Sequence, residues 1–440
     1  MCLRQAYANA STEKPGGLGQ EPVNGWRGIF SLRIVTQCPK CAINLTLTVK
    51  TKALSYNGGS GDESFRSLLT PLFRPIYLGG FFLKAIAPCP SHALDWIMPD
   101  FDSLFNQIAE LVLHHSPSGV EGEVDQLLLQ QLQTIGIDHW QDEAGNIIAK
   151  IPGREAGAVA ITAHKDEIGM IVKGVQPQGR LAVRALGGAF PWVYGEGVVD
   201  ILGDRHTLSG ILSFGSRHVS HESPHKAQQE NAPLRWEQVW VETKLQSVEL
   251  EMAGVRPGSR VVVGKHRKQP FRLGDYIASY TLDNKASVAI LLNLAQIVKT
   301  PRYDTYLVAS AKEEVGAVGA LYFSQRQRVD RLIALEICPL AKEYPLVEGD
   351  RPVLLAQDSY GLYDEGLNEE LRAAARGVHL PVQMAAIAGF GSDASIAMKF
   401  GHVARGACLG FPTDNTHGYE IAHLGAIAHC ITILAEYLTL

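Results

Sequence analysis

Apolar segments of strand length alternate with segments of helical pattern from Asn146 to the end of the chain, and one long stretch interrupts this alternation. The runs 146–151 and 158–163 are rich in Ile, Val and Ala, which is typical of buried strands. A helix precedes them, and Asp102 or Ser103 is its predicted N-cap residue. This order of elements predicts an α/β sheet.

The interruption lies between about Met170 and Val263. There the chain shows short apolar runs separated by glycines and no long helical pattern. That texture is typical of a small β-barrel or β-sandwich. Because the α/β pattern returns at Arg272, we predict a β-rich domain inserted into one α/β domain. The predicted bounds are 98–170 and 270–440 for the α/β domain and 171–269 for the insertion.

The first 97 residues differ from the rest of the chain. Cys38 and Cys41 have half of a zinc-ribbon spacing, but a second pair is missing, so we favour a segment without function over a metal knuckle. Regular structure begins at Met98, which is itself a possible initiator. Residues 1–97 are therefore unassigned, and we expect a poorly ordered extension or a mis-set start codon.

The charge and cysteine content limit the classes of protein. Lys and Arg number 40 against 45 Asp and Glu, and a net charge of −5 argues against a nucleic-acid or anionic-membrane binder. No apolar run of about 18 residues predicts a transmembrane helix, and the N-terminus lacks a signal peptide's apolar core. Seven cysteines, an odd number, fit reduced thiols. We expect a soluble cytoplasmic enzyme.

Acidic and imidazole side chains fall at strand ends or in the loops that follow them. His164 ends the strand 158–163, and Asp166 shares its face in an extended chain, so its carboxylate could hold the second ring nitrogen. The other candidates are Asp283 before a helix, Glu313 and Glu314 after one strand, Glu336 after a second, and His417 after a third. Ligand sites in open α/β sheets lie at the carboxyl ends of strands. Two histidines with several carboxylates suit a pair of Zn, Co or Mn ions, and one carboxylate left over could act as base.

Three of these motifs, in this order, resemble the M42 family of aminopeptidases, the glutamyl, deblocking or tetrahedral group of co-catalytic dizinc exopeptidases. They are the run 163–169 (AHKDEIG), the run 282–285 (LDNK) and the run 313–316 (EEVG). The resemblance covers about residues 98–440, including the β-rich insertion, and leaves 1–97 unmatched.

The resemblance implies a mixed-sheet α/β/α dizinc exopeptidase domain and assigns a role to each candidate residue. By position, it implies that Asp283 bridges two metals, His164 and Glu336 complete one site, Glu314 and His417 complete the other, Glu313 is the general base, and Asp166 orients His164.

The same resemblance implies an aminopeptidase that hydrolyses N-terminal residues from peptides with water activated by two divalent metal ions. Zinc is the first expectation, with cobalt or manganese as alternatives. The resemblance also implies that the insertion mediates subunit pairing. The expected homo-oligomer ranges from a dimer to a tetrahedral dodecamer.

Two positions depart from the family pattern, and other readings stay open. Glu336 stands where members often have Asp, and the run 413–417 differs from the usual approach to the last histidine. Lys165 or Lys312 could instead be a structural partner of a buried Glu336. The rival functions are a metal-dependent amidase or deacylase on a non-peptide substrate, a glucanase, since some members carry that label, and a non-catalytic member of the fold.

Overall fold

The computed structural model describes residues 30–34, 45–49, 99–223, 226 and 231–440. The chain forms two compact units, Met1–Pro88 and Cys89–Leu440. In the first unit, strands β1 (Phe30–Ile34) and β2 (Leu45–Val49) pair in antiparallel fashion. The predictions for Cys38, Cys41 and Met98 lie outside the described residues.

The described part of the second unit contains strands and helices in alternation. Its strands are β3 Asp138–Gln141, β4 Ile147–Ile151, β5 Ala158–His164, β6 Gly169–Val175, β7 Arg180–Leu186, β8 Gly197–Leu202, β9 Thr207–Ser213, β10 Trp240–Glu242, β11 Arg260–Val263, β12 Phe271–Leu273, β13 Tyr276–Tyr280, β14 Asp304–Ser310, β15 Arg331–Pro339, β16 Val353–Gln357, β17 Gln383–Ala386, β18 Arg405–Asp414 and β19 Tyr419–His423. Its helices are α1 Phe101–Val112, α2 Gly122–Ile135, α3 Pro191–Tyr194, α4 Ser247–Met252, α5 Leu282–Ile297, α6 Val318–Arg326, α7 Glu365–Gly377, α8 Asp393–Lys399 and α9 Leu424–Thr439.

The α/β part is built on an 11-stranded mixed sheet with the order β12-β13-β19-β18-β15-β5-β14-β4-β3, to which β16 and β17 attach beside β18. The four adjacent strands β18, β15, β5 and β14 in the middle of this sheet run parallel to one another. Their carboxyl ends therefore meet at one edge of the sheet. The predicted mixed-sheet α/β class is confirmed.

Successive side chains of each strand point to opposite faces of this sheet, so apolar residues pack on both faces. On β4, Ile147 and Ala149 pack into one apolar cluster, and Ile148 packs into the other. On β15, Leu335 and Ala334 divide in the same way. Side chains of α1, α2, α5, α7 and α9 join the first cluster, and those of α6 and α8 join the second. The result is a three-layered α/β/α arrangement with the sheet in the middle.

The helix ends show one departure from the sequence-based expectation. Asp100, not Asp102 or Ser103, is the N-cap of α1, because its carboxylate accepts the backbone N–H of Ser103 at 3.1 Å. Along the described ranges, the helices are all too short or too polar to cross a membrane.

The glycine-rich stretch forms a closed six-stranded barrel. Its strand order is β10-β7-β6-β11-β8-β9, and β10 closes the ring by pairing with β9. Alternate residues such as Met170, Val172, Leu181, Val199 and Val241 fill its interior. Of the two alternatives left open by the sequence, the structure has the barrel.

A buried ionic cluster joins the barrel to the α/β part. Glu167 Oε2, between β5 and β6, lies 2.9 Å from Lys268 Nζ and 2.8 Å from Lys285 Nζ. Beside it, His115 Nε2 lies 2.9 Å from Asp200 Oδ2 on barrel strand β8. Although burial raises it, Lys268 and Lys285 hold the pKa of Glu167 well below its ordinary value. The cluster therefore fixes the barrel against the start of α5, where Lys285 lies.

Candidate metal centre

The structure brings the predicted ligands together at the carboxyl edge of the parallel strands. His164 is the last residue of β5, and Glu314 follows β14. His417 follows β18, and Asp283 lies at the start of α5. Glu336 was predicted at a strand end, but β15 continues to Pro339, so Glu336 lies inside the strand. Its side chain still reaches the group, because it lies near the carboxyl end of β15.

Three of these side chains form a first group. Asp283 Oδ1 lies 3.0 Å and Glu336 Oε2 lies 3.9 Å from His164 Nε2. The candidate ligand atoms of the three residues lie within 4.8 Å of one another, and all three residues are buried. Asn284 Nδ2 donates to Glu336 Oε2 at 3.1 Å and thereby orients that carboxylate.

A second group shares Asp283 with the first. His417 Nε2 lies 3.3 Å from Asp283 Oδ2 and 3.7 Å from Glu314 Oε1. These ligand atoms also lie within 4.8 Å of one another. The two oxygens of Asp283 thus face two different histidines, which is the geometry that a ligand shared by two cations requires.

Both histidines have the same hydrogen-bond arrangement. Nδ1 of His164 is 3.1 Å from the Asp166 carbonyl oxygen, and Nδ1 of His417 is 2.8 Å from that of Gly188. Because a carbonyl only accepts, Nδ1 carries the hydrogen in each ring. The lone pair of each Nε2 then points at carboxylate oxygens, an arrangement that needs a proton or a metal cation between them.

The pKa shifts at the site also indicate that its buried carboxylates lack compensating positive charge. Burial and nearby carboxylates raise the pKa of Glu314 to about 7 and hold that of Glu336 well above its ordinary value. Although burial lowers it, Asp283 and Glu314 raise the pKa of His417 to about 11. Among the described residues, no Lys or Arg forms an ion pair with these carboxylates. Glu314 Oε1 is buried and has no hydrogen-bond partner. This donor set therefore fits divalent cations.

The position of Asp166 differs from the expected one in detail. Its Oδ1 is 3.6 Å from His164 Nδ1, which is too long for a hydrogen bond. Its backbone oxygen contacts the ring instead. The carboxylate accepts the Ser118 hydroxyl at 2.6 Å and the backbone N–H of Glu313 at 2.9 Å. Asp166 thus holds both the ring and the segment that carries Glu313.

The alternative prediction that Lys165 is a structural partner of Glu336 is wrong. Lys165 is buried, but it pairs with Glu121 and, at 2.7 Å, with Asp125 Oδ1. The partners that the structure gives to Glu336 are Asn284 and His164.

Sequence reasoning missed several residues that support the centre: Ser118, Gly188, Asn284, Asp393 and Glu420. Asp393 accepts a hydrogen bond from the Ser310 hydroxyl at 2.6 Å, and its negative charge helps to raise the pKa of Glu313. Glu420 accepts backbone N–H groups of two candidate ligands. An available signal for Glu420 was an isolated acid in the apolar, strand-like run 419–423, where the structure buries it.

Comparison with known proteins gives a consistent result. The sequence profile of the M42 glutamyl aminopeptidase family matches residues 145–433. YhfE of Bacillus subtilis, a protein that carries an aminopeptidase name, is 28% identical over 351 residues, which cover 75% of this chain and 95% of the relative.

Solved structures share the fold. Aminopeptidase APDkam598 from the archaeon Desulfurococcus kamchatkensis has a TM-score of 0.69 at 23% identity and covers 77% of this chain and 95% of its own. The TET1 peptidase of Pyrococcus horikoshii, which can assemble into a tetrahedron or a large octahedral shell, also has a TM-score of 0.69, at 21% identity, and covers 77% of this chain and 99% of its own.

Proposed function

Because the chain belongs to the M42 family of glutamyl aminopeptidases and is therefore a peptide hydrolase, we propose that it is a metal-dependent aminopeptidase that removes N-terminal residues from peptides. The observation that carries the metal dependence is the position of Asp283. One of its oxygens faces Nε2 of His164 and the other faces Nε2 of His417. Each histidine is accompanied by one further carboxylate, from Glu336 or Glu314.

We propose that the two groups hold two divalent cations. Asp283 contributes to both, His164 and Glu336 to one, and Glu314 and His417 to the other. Imidazole and carboxylate donors suit Zn²⁺ first, and Co²⁺ or Mn²⁺ as alternatives. Two cations held in this way would lower the pKa of the attacking water and stabilise negative charge on the peptide carbonyl oxygen.

Glu313 is the proposed general base. Its segment is anchored by the backbone N–H that it donates to Asp166 Oδ1. Burial, together with Asp393 and Glu314, holds the pKa of Glu313 well above its ordinary value. Its carboxylate takes the proton of the attacking water and returns it to the amine that leaves.

Asp166 is proposed to act as a positioning residue for this base and for His164. Its backbone oxygen sets the hydrogen of the His164 ring on Nδ1, and its carboxylate holds the 313–314 backbone. Asp166 therefore contacts both the His164 ring and the backbone that carries Glu313 and Glu314.

The wider organisation is also a proposal. The barrel strands run from Gly169 to Val263, which supports an insertion at about 171–269 between the α/β parts 98–170 and 270–440. The TET1 assembly supports a homo-oligomer of this chain, from a dimer to a dodecamer. The described cysteines, Cys338, Cys408 and Cys430, are free thiols, which supports a cytoplasmic location. Residues 1–97 stay a proposed extension.

The test is a panel of aminoacyl-anilides assayed after chelation and after return of Zn, Co or Mn. Cleavage that is lost with chelator and restored by metal supports the proposal. An N-acetylated anilide serves as the matched control, because an aminopeptidase requires a free amine. Preferential cleavage of acylated or non-peptide amides would favour the amidase or deacylase reading. Cleavage of a glucan that persists in chelator would favour a glycosidase, which needs two carboxylates without metal.

A further inference from the structure

Glu420 connects the backbones of two proposed metal ligands through one carboxylate. The N–H of Asp283 donates to Glu420 Oε2 at 3.0 Å. The N–H of His417 donates to Glu420 Oε1, also at 3.0 Å. The residue is buried on strand β19 and is 1% exposed. Both of its oxygens are therefore used inside the protein.

The two donors belong to the same group of proposed ligands. Asp283 and His417, with Glu314, form the second group, whereas of these two donors only Asp283 belongs to the first group, beside His164 and Glu336. Glu420 thus sets the spacing between two ligands of one cation. Its effect on the other cation passes through Asp283 alone.

His417 has a particular need for such a contact. Its φ of 61° lies in the left-handed region, which an L-residue adopts at an energetic cost. The N–H of His417 is held by Glu420, and its ring Nδ1 is held by the Gly188 carbonyl. These two contacts orient the backbone and the side chain of the same residue.

We propose that Glu420 is a positioning residue that preorganises the second metal site by accepting both backbone N–H groups. This inference rests on the proposed function, because it assumes that Asp283 and His417 ligate a metal. A carboxylate suits the task because each oxygen accepts. A glutamine of the same shape has one accepting oxygen, and its NH₂ group would face an N–H donor. Glu420→Gln therefore removes one of the two contacts at nearly constant volume.

The experiment measures metal binding to the purified full chain after chelation. Apoprotein is titrated with Zn²⁺ against a chromophoric chelator, and bound metal is counted after gel filtration. Glu420→Gln is expected to lower the Zn²⁺ affinity of the second site about 10- to 100-fold, as is usual when a group that orients a metal ligand is lost. The first site is expected to keep its affinity.

Asp358→Asn is the matched control. Asp358 is also buried, and its two oxygens also accept backbone N–H groups, from Tyr360 and Ser392. A structural cost of replacing a buried carboxylate by an amide should appear in the thermal unfolding of both apoproteins. Only Glu420→Gln is expected to change the affinity for the second metal.

Two further backgrounds locate the effect. With His417→Ala, which removes a ligand of the second site, adding Glu420→Gln is expected to cause no further loss of metal. With Glu336→Ala, which removes a ligand of the first site, adding it is expected to weaken the metal that remains. Wild-type affinity of both sites in Glu420→Gln, or equal weakening of both, overturns the inference.

The outcomes separate this inference from the proposed function. If the wild-type protein binds no metal, the proposed function fails. If the wild type binds two metals and Glu420→Gln binds them equally well, only the inference fails. Should Glu420→Gln not fold, Glu420→Asp keeps both acceptors on a shorter side chain and is expected to weaken the second site alone; unchanged binding there overturns the inference.

Discussion

Replacing Glu167 by Gln tests the buried cluster that joins the barrel to the α/β part. The substitution keeps the size of the side chain and removes its negative charge. Lys268 and Lys285, both fully buried, lie 2.9 and 2.8 Å from the same carboxylate oxygen. The variant therefore leaves two buried ammonium groups with only neutral acceptors at this position. We expect a large loss of folding stability.

The size of the loss can be bounded. Breaking a buried ion pair by removing one partner costs about 3–5 kcal/mol. A buried lysine that has lost its counter-ion can also give up its proton and become neutral. At pH 7 this costs about 5 kcal/mol from an ordinary lysine pKa of about 10.4, which sets an upper limit on the loss for each lysine. The remaining contact of Lys285 with the His114 carbonyl, at 2.6 Å, lowers the cost for that group. We expect a total loss of about 3–5 kcal/mol.

Urea unfolding followed by circular dichroism measures the change. Glu369→Gln is the control, because Glu369 also contacts two cationic side chains, Arg372 and Arg376, but at the exposed surface. It is expected to leave the unfolding midpoint unchanged, since exposed ion pairs contribute little. A loss below about 1 kcal/mol for Glu167→Gln, the ordinary effect of a substitution, would refute the reasoning.

The other predictions concern the proposed centre. Glu313→Gln should lower kcat by about 10²–10⁴-fold, the usual contribution of a general base, with unchanged metal content; metal loss in parallel would contradict its role. His417→Ala should bind one metal equivalent fewer by elemental analysis, and equal retention of both would count against the ligand assignment. Chelation should lower the thermal midpoint, and metal at 1,000 times its Kd should restore about 4 kcal/mol; a midpoint indifferent to metal would argue against a site that holds it.

The sheet and most of the candidate ligands could be predicted because they follow local patterns. The strand that ends at His164 is a continuous apolar run, as expected for a parallel strand covered on both faces. Residues placed after such strands must meet at one edge of the sheet, so sequence order alone brings His164, Glu314 and His417 near one another. The resemblance to the family then gave each residue a role.

Contacts that depend on tertiary structure could not be predicted in this way. The end of β15 was not predicted, because a charged residue such as Glu336 is expected at the end of a buried strand, whereas Ile337 and Cys338 continue the strand to Pro339. Glu420 acts through backbone groups that lie 3 and 137 positions away, and only the pairing of β13 with β19 brings the distant one close. The choice of Asp100 as the N-cap of α1 depends on its own backbone conformation, which neighbouring Asp and Ser residues do not reveal.

The loop after β7 has a consequence for protein engineering. Gly188, whose carbonyl accepts the ring N–H of His417, follows a barrel strand, and Lys268, a counter-ion of Glu167, follows another. A minimised enzyme from which the barrel had been cut would lose an orienting contact of its proposed metal centre and one of the two buried lysines that pair with Glu167. Loop grafting or shortening is better confined to the barrel turns far from the proposed metal centre, since residues at the near end contact His417 and Glu167.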